Sequence, residues 1–446
     1  MGLWFRIKEY LRRFPHLYKT LVWLNSFNRK INRLYSRRLI KITERYHEEA
    51  LLQLQSKASI TVLFFAIDTS SWKYDTLFIK MMKHPRFHPI VVICPMVNWG
   101  VRTMKEEMLQ SFSYFREKGF ETISAYDFET GNYLDVNKEL HPDIIFYTNP
   151  YEGLIDNRFY IKKYLHTLTV YVSYMFNNNS NHKFAQNELL HNLVWRYYAE
   201  TEQHKLYSKK YADNKGRNVL VSGYPGIEKL IDKDYHPRTY PWKLKDSQLK
   251  RIIWAPHHSI EGTGCVNYSC FLMYSDFMLD IAEKYKGQIQ FVFKPHPLLK
   301  TKLINLWGEE KALSYYSKWN TNCNTTINEG DYIDLFLTSD AMIHDCGSFI
   351  TEYLYVNKPV LRTMNNVPVE DMYDDLAQRS LEQHYKAYSN NDIENFIKNV
   401  IDGYDPLSQQ RICYVKDVLM PNGCPSQIIL KDIIDSIDNL ILFPQS

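Results

Sequence analysis

No cysteine pair spaced as CxxC occurs in this chain, and its seven cysteines, at 94, 265, 270, 323, 346, 413 and 424, share no repeated spacing. That pattern excludes a structural zinc site and points to a reducing compartment. No run of 18 or more uncharged apolar residues is present, so no helix is expected to span a bilayer. The opening stretch MGLWFRIKEYLRRFP is broken by charge every second or third position, which excludes the apolar core of a secretory signal. The expected location is the cytosol, and the sequons at Asn178, Asn267 and Asn324 are then chance matches. GxGxxG, the P-loop pattern, HExxH and GxSxG are missing as well. Their absence removes any case for a dinucleotide oxidoreductase, a P-loop NTPase, a zincin or a nucleophile-elbow hydrolase. Asp232 and Asp234 form the chain's one DxD; they fall in a charged linker and are read as solvated, so no metal or cofactor is called for.

Net charge is also small, +4 from 54 Lys+Arg against 50 Asp+Glu, which argues against nucleic acid as a partner. The total hides a gradient. Residues 1–45 hold twelve Lys/Arg and only Glu9 and Glu44, a local +10 that leaves −6 for the other 401 residues. In this segment Leu3, Trp4, Ile7, Leu11 and Phe14 recur at helical spacing. After Pro15 come Leu17, Leu21, Leu24, Phe27, Ile31, Leu34 and Ile42. The pattern predicts a pair of basic amphipathic helices over residues 1–57. They would suit the interface of an anionic inner-membrane surface, each nearby Lys/Arg contributing on the order of 1 kcal/mol. The plainer alternative is a helix packed on the protein's own body.

What is plentiful beyond residue 58 is short β-branched runs alternating with helical stretches. ITVLFFAI (60–67), HPIVVIC (88–94), PDIIFYT (142–148), TVYVSY (169–174) and NVLVSG (218–223) read as strands. The segments 74–85 and 104–119 read as helices, and 185–209 as one long polar-aromatic helix. A stretch with Pro225, Pro237 and Pro241 marks a hinge over 225–250. The alternation then restarts, with strands at 251–256, 288–295, 341–345 and 358–363 and helices at 271–285, 331–339 and 348–356. This predicts an α/β chain of two Rossmann-like units, 58–224 and 251–446, facing a cleft, the second closed by C-terminal helices. Ligands in such sheets bind beyond the carboxyl ends of the strands.

Three polar clusters sit at those strand ends in the second unit. In WAPHHSIEGTG, His257 and His258 are adjacent and cannot both point into a core. In FVFKPHP, Lys294 and His296 stand on a turn stiffened by two prolines, suited to a diphosphate whose charge grows as a bond breaks. In SDAMIHDCGSFITEYL, His344 and Asp345 end a strand, and Gly347 and Ser348 open a helix whose free N–H groups make an anion site. Glu352, one turn on, could accept from ribose hydroxyls. Singly each residue has a structural reading: a hydrogen-bonded strand-end histidine, an N-cap serine, a glycine easing a turn. Their convergence on one edge is the functional signal.

These residues resemble a known family. GYP (223–225), the strand ending in Ala255-Pro256, Lys294-Pro295-His296-Pro297 and SDAMIHDCGSFITEYLYVNKPVL (339–361) are similar to the CDP-glycerol:glycerophosphate glycerophosphotransferases of teichoic-acid and capsule synthesis. The resemblance covers residues 218–365 and touches the first unit weakly. It implies a GT-B architecture with the nucleotide held by the second unit, and a basic N-terminal membrane attachment on the cytoplasmic face. It also implies transfer of a polyol phosphate, or a sugar, from a cytidine-nucleotide donor to a hydroxyl of a lipid-linked or polymer acceptor. By the same resemblance Lys294, His296, Asp345, Ser348 and Glu352 occupy the family's donor-site positions. Two departures stand out: the family's Thr-Asp-Tyr-Ser-Ser reads His-Asp-Cys-Gly-Ser at 344–348, and its first-unit His-Gly-Thr is replaced by YVSYMFNNNSNHKF (171–184).

The expected reaction is attack by an acceptor hydroxyl on a nucleotide-diphospho donor, with Lys294, His296 and the Ser348 helix start stabilising the diphosphate. His257 or His258 is the expected general base, with His182 and Asp68 as first-unit alternatives. A nucleotide-sugar glycosyltransferase would use the same residues. A non-catalytic scaffold would need neither the imidazoles nor Lys294.

Overall fold

The computed structural model describes residues 15–98, 100–260, 267–420 and 423–444. The first of the two expected N-terminal helices therefore lies outside the described residues. The second is a single helix, Pro15–Gln55, whose later half is part of the body: Ile40, Ala50, Leu51 and Leu54 are buried, and Glu44 pairs with Arg217 at 2.6 Å. No helix among the described residues is long and apolar enough to cross a membrane.

The apolar runs form two fully parallel sheets. The first contains β1 (Ile60–Ala66), β2 (Phe87–Ile93), β3 (Thr122–Ser124), β4 (Ile144–Tyr147), β5 (Leu168–Val172), β6 (Arg196–Ala199) and β7 (Val219–Val221), in the order β3-β2-β1-β4-β5-β6-β7. The second contains β8 (Lys250–Ala255), β9 (Ile289–Phe293), β10 (Thr325–Ile327), β11 (Ala341–His344), β12 (Val360–Thr363) and β13 (Tyr385–Ala387), in the order β10-β9-β8-β11-β12-β13. Strands such as β1 and β9 are apolar on both faces because helices cover both sides, so periodicity of two is absent where burial is complete. Each sheet reverses its winding beside its first strand, between β1 and β4 and between β8 and β11. Crevices at the carboxyl ends of such switch points are where ligands of doubly wound sheets bind.

The helix expected over 185–209 is not one helix. It divides into Leu189–Leu193, strand β6 and Glu202–Tyr211. Trp195, Tyr197 and Tyr198 are buried, and β6 pairs with β5 (Val170↔Arg196) and with β7 (Tyr197↔Val219). A slot between two parallel strands overrides the helical reading of an aromatic run.

The last helix, Pro425–Asp438, was expected with the second unit but packs in the core of the first. Ile429, Leu430, Ile433 and Ile437 join Leu51, Leu54, Leu77, Phe78 and Met81 there. The chain thus crosses between units twice. The expected hinge is pinned to the second unit, with Asp334 accepting from Tyr235, Arg238 and Thr239 and Trp242 donating to Thr338 at 2.8 Å. Glu228 then clasps the returning crossing, accepting from the Ser426 hydroxyl at 2.8 Å and the Ser426 amide at 2.5 Å. Asp232 and Asp234 form a local turn in this strap, Asp234 donating its amide to Asp232 Oδ1 at 2.9 Å.

Candidate functional site at the carboxyl edge of the second sheet

Strands β9, β8 and β11 are neighbours, so their parallel direction brings the three polar clusters to one edge. The rings of His257, His258 and His296 form a compact trio with centroids 4.3, 4.9 and 4.2 Å apart, and one ring nitrogen of each lies within 4.8 Å of the others. Burial drives all three below the ordinary histidine range: His258 to about 4, His296 to about 3 and His257 well below it. Each charge would also repel its neighbours, and the cluster is neutral at pH 7.

Asp345 anchors this arrangement from β11. Its Oδ1 accepts from the His257 amide and its Oδ2 from the Cys270 amide at 2.6 Å. Burial raises its carboxyl to about 6 against the opposing pull of Arg362. The carboxylate therefore positions the turn after β8 rather than facing a ligand. Lys294 is 8% exposed, and burial lowers it to about 8; its Nζ donates to the Gly330 carbonyl at 2.6 Å. An ammonium held in this way carries charge into the site with no directly paired carboxylate among the described residues.

His344 does not join the trio. It is fully buried beside His384 and Phe349, with both ring nitrogens unpartnered, so its side chain turns into the core beneath the site. The glycine that departs from the family pattern has a packing reason: a Cβ at Gly347 would stand 3.2 Å from the Tyr268 ring, which stacks on Tyr373. The helix opened by Ser348 is one turn, Phe349–Glu352, continued by a 3-10 turn. Glu352 is buried, which raises its carboxyl, and it accepts from the Tyr332 hydroxyl at 2.5 Å and the Phe176 amide at 3.3 Å. It brackets the two units together, a contact the expected ribose role did not include.

The two first-unit candidates have local duties. Asp68 closes the turn after β1, accepting from the Ser70 hydroxyl and the Ser71 amide at 2.7 Å. His182 stacks between Tyr207 and Tyr211, with centroids 4.0 and 4.8 Å away. Lys73 is a first-unit cation that reaches the second unit's site. Its Nζ lies 5.2 Å from the Tyr332 ring centroid, and its charge lowers both Glu352 and Lys294. The Asn177-Asn178-Asn179 run that stands where the family motif is missing ties the units together. Asn178 donates to the Gly347 carbonyl at 2.9 Å and accepts from the Thr351 hydroxyl at 3.0 Å, and Asn179 pairs with Tyr373.

This geometry gathers the neutral histidine trio, the buried Lys294 ammonium and a cross-unit bracket at the carboxyl edge of the second sheet's switch point. Residues 169–378 match the family model for CDP-glycerol:poly(glycerophosphate) glycerophosphotransferase. This stretch is similar to that family. The match begins at β5, so it takes in the asparagine strap as well as the whole strand-end site, and over this stretch the chain is similar to the CDP-glycerol glycerophosphotransferases. No curated protein matches the chain. Among solved structures, MnaA of S. aureus with UDP gives a TM-score of 0.55 at 14% identity, over 87% of this chain and 99% of that one. The UDP-GlcNAc 2-epimerase of Neisseria meningitidis bound to UDP-GlcNAc gives 0.51 at 16%, over 84% and 100%. The wall teichoic acid polymerase TagF gives 0.51 at 13%, over 94% and 99%. At these identities the likeness establishes the fold, a GT-B-like pair of Rossmann units.

Proposed function

We propose that this glycerophosphotransferase-like enzyme moves a glycerol phosphate or similar polyol phosphate from a CDP-linked donor to a hydroxyl of a lipid-linked or polymer acceptor in cell-surface polymer synthesis. The observation that carries this reading is the meeting of His257, His296 and Lys294 at the carboxyl ends of β8 and β9, inside the stretch that matches the family. The acceptor oxygen attacks the donor's distal phosphorus, a new P–O bond forms, the P–O bond to the cytidine monophosphate breaks, and CMP leaves with the electron pair. Lys294 and the histidine N–H groups offset the charge that builds on the leaving phosphate. The hydroxyl proton passes to a base, for which we take His258 as the candidate: its Nδ1 has no hydrogen-bond partner among the described residues, and a bound diphosphate would raise its low pKa towards neutrality.

Thermal shift on the full chain with CDP-glycerol, CMP, UDP and GDP tests the donor. CDP-glycerol at 100 times its Kd stabilises the protein by about 2.7 kcal/mol if it binds only the folded state. Stabilisation by UDP conjugates alone would move the reading to a nucleotide-sugar glycosyltransferase. No response to any nucleotide, together with full biological activity of His296→Ala, would support a scaffold.

We propose also that the basic lead seats the enzyme on an anionic membrane surface at the cytoplasmic face. Because Ile40, Leu51 and Leu54 belong to the core, the peripheral part ends ahead of them. Residues 1–33 carry eight Lys/Arg against Glu9 alone. Deleting residues 1–33 should abolish co-sedimentation with vesicles containing anionic lipid while leaving nucleotide binding within about twofold, given contributions of about 1 kcal/mol per basic residue. Unchanged co-sedimentation would contradict the attachment.

A further inference from the structure

Strands β8 and β9 end in turns built alike. In each, a histidine receives on its ring the backbone N–H of the residue two positions on: Ser259 to His257 Nδ1 and Leu298 to His296 Nδ1, both at 3.2 Å. The Ser259 hydroxyl lies 2.9 Å from the same His257 nitrogen, while its oxygen accepts from the Tyr268 amide at 2.9 Å and the Ser269 amide at 3.2 Å. With its lone pairs engaged in that way, the hydroxyl proton points at the ring. An amide N–H can donate only to a ring nitrogen that holds a lone pair. Nδ1 is thus unprotonated in both rings. Burial keeps both rings neutral, so each carries its single proton at Nε2.

We propose that His257 and His296 form a matched pair of Nε2–H donors that clamps one phosphate or diphosphate, and that in this form neither ring is a general base or a metal ligand. Their centroids are 4.9 Å apart, close enough for two N–H groups to share one oxyanion, and Lys294 supplies the nearby positive charge. The three-histidine grouping invites a metal reading, but the protonation pattern opposes it. A ligating imidazole offers a lone pair to the metal and donates its other N–H to a carboxylate, carbonyl or water. Here the other nitrogen accepts, so the free one carries the proton. Neutral donors suit a site that must also release its product, since they hold an anion without the full attraction of a second buried cation. The clamp rests on the donor-site reading above only for which diphosphate occupies it.

The test uses the full chain, inorganic pyrophosphate as probe, and two readouts. Long-range proton–nitrogen spectra of histidine-labelled wild-type protein should show both rings as Nε2–H tautomers, with assignments taken from His257→Gln and His296→Gln. By calorimetry, His257→Ala and His296→Ala should each weaken pyrophosphate binding about tenfold or more. The Gln variants, whose amide can donate from a similar place but cannot act as a base, should stay within about threefold of wild type. An Nδ1–H tautomer in either ring, one equivalent of zinc bound by the wild type, or Gln variants as impaired as Ala variants would overturn the clamp. Pyrophosphate binding as expected without turnover of CDP-glycerol would leave the clamp standing and remove the polyol-phosphate reading instead.

Discussion

Lys294→Met should lower the rate of CMP formation from CDP-glycerol by about 100- to 1,000-fold, the size of effect seen when one preorganised charge or donor is taken from a developing anion. The same change should leave the melting temperature equal or higher. Lys294 is buried, its ammonium is pulled down to about 8, and its nearest partner is a backbone carbonyl, so the fold gains little from the charge. Methionine fills the stem's volume without it. Steady-state rates and thermal denaturation of the same preparation separate the two effects. Activity within tenfold of wild type, or a loss of several degrees in stability, would show that Lys294 serves the fold and not the donor.

Arg196→Met should destabilise the first unit by about 3–5 kcal/mol. The Arg196 side chain is fully buried at the start of β6, and its guanidinium gathers the returning C-terminal segment. Nε meets Asp432 at 2.9 Å, Nη2 meets the Ser436 hydroxyl at 2.8 Å and the Ile441 carbonyl at 2.9 Å, and Nη1 meets the Leu442 carbonyl. Tyr198 donates to the same Asp432 oxygen at 2.7 Å. Removing the cation leaves a largely buried carboxylate and two carbonyls without their partner. Urea unfolding followed by tryptophan fluorescence reads the change, and the double variant Arg196→Met/Asp432→Leu should regain more than half of the loss. A single-variant effect below about 1 kcal/mol would mean that the apolar face of Pro425–Asp438 alone holds the crossing.

The parts of the fold that were legible are those where burial leaves a one-dimensional trace. ITVLFFA and IQFVF are apolar on both faces, and this composition announces central parallel strands with helices above and below. Edge elements carry less signal. Thr122–Ser124, Thr325–Ile327 and Tyr385–Ala387 are three residues each, too short for any periodicity, and they become strands because a neighbour offers a free edge. The destination of Pro425–Asp438 was hidden for another reason. An amphipathic helix shows which face is buried but not against what, and partners far away in sequence, Glu228 and Arg196 among them, decide that it returns to the first sheet.

The site divides in the same manner. That His257, His296 and Lys294 gather at one edge follows from strand ends alone, because the carboxyl ends of neighbouring parallel strands are adjacent. Which way each side chain turns does not follow. His344 faces inward although Asp345 beside it reaches across to the β8 turn, a difference of one residue in a strand whose sides alternate. Lys73 and Asn178 were not separable from ordinary loop residues, since their partners, Tyr332 and Gly347, lie in the other unit.

The most direct test is phosphorus NMR of the purified full chain with CDP-glycerol and an acceptor primed with glycerol phosphate, read for CMP and for new phosphodiester. The account predicts CMP and phosphodiester in equal amounts, both abolished by Lys294→Met while the variant stays folded. CMP release that requires no acceptor and makes no phosphodiester, or no reaction with CDP-glycerol while a UDP-sugar is consumed, would contradict it.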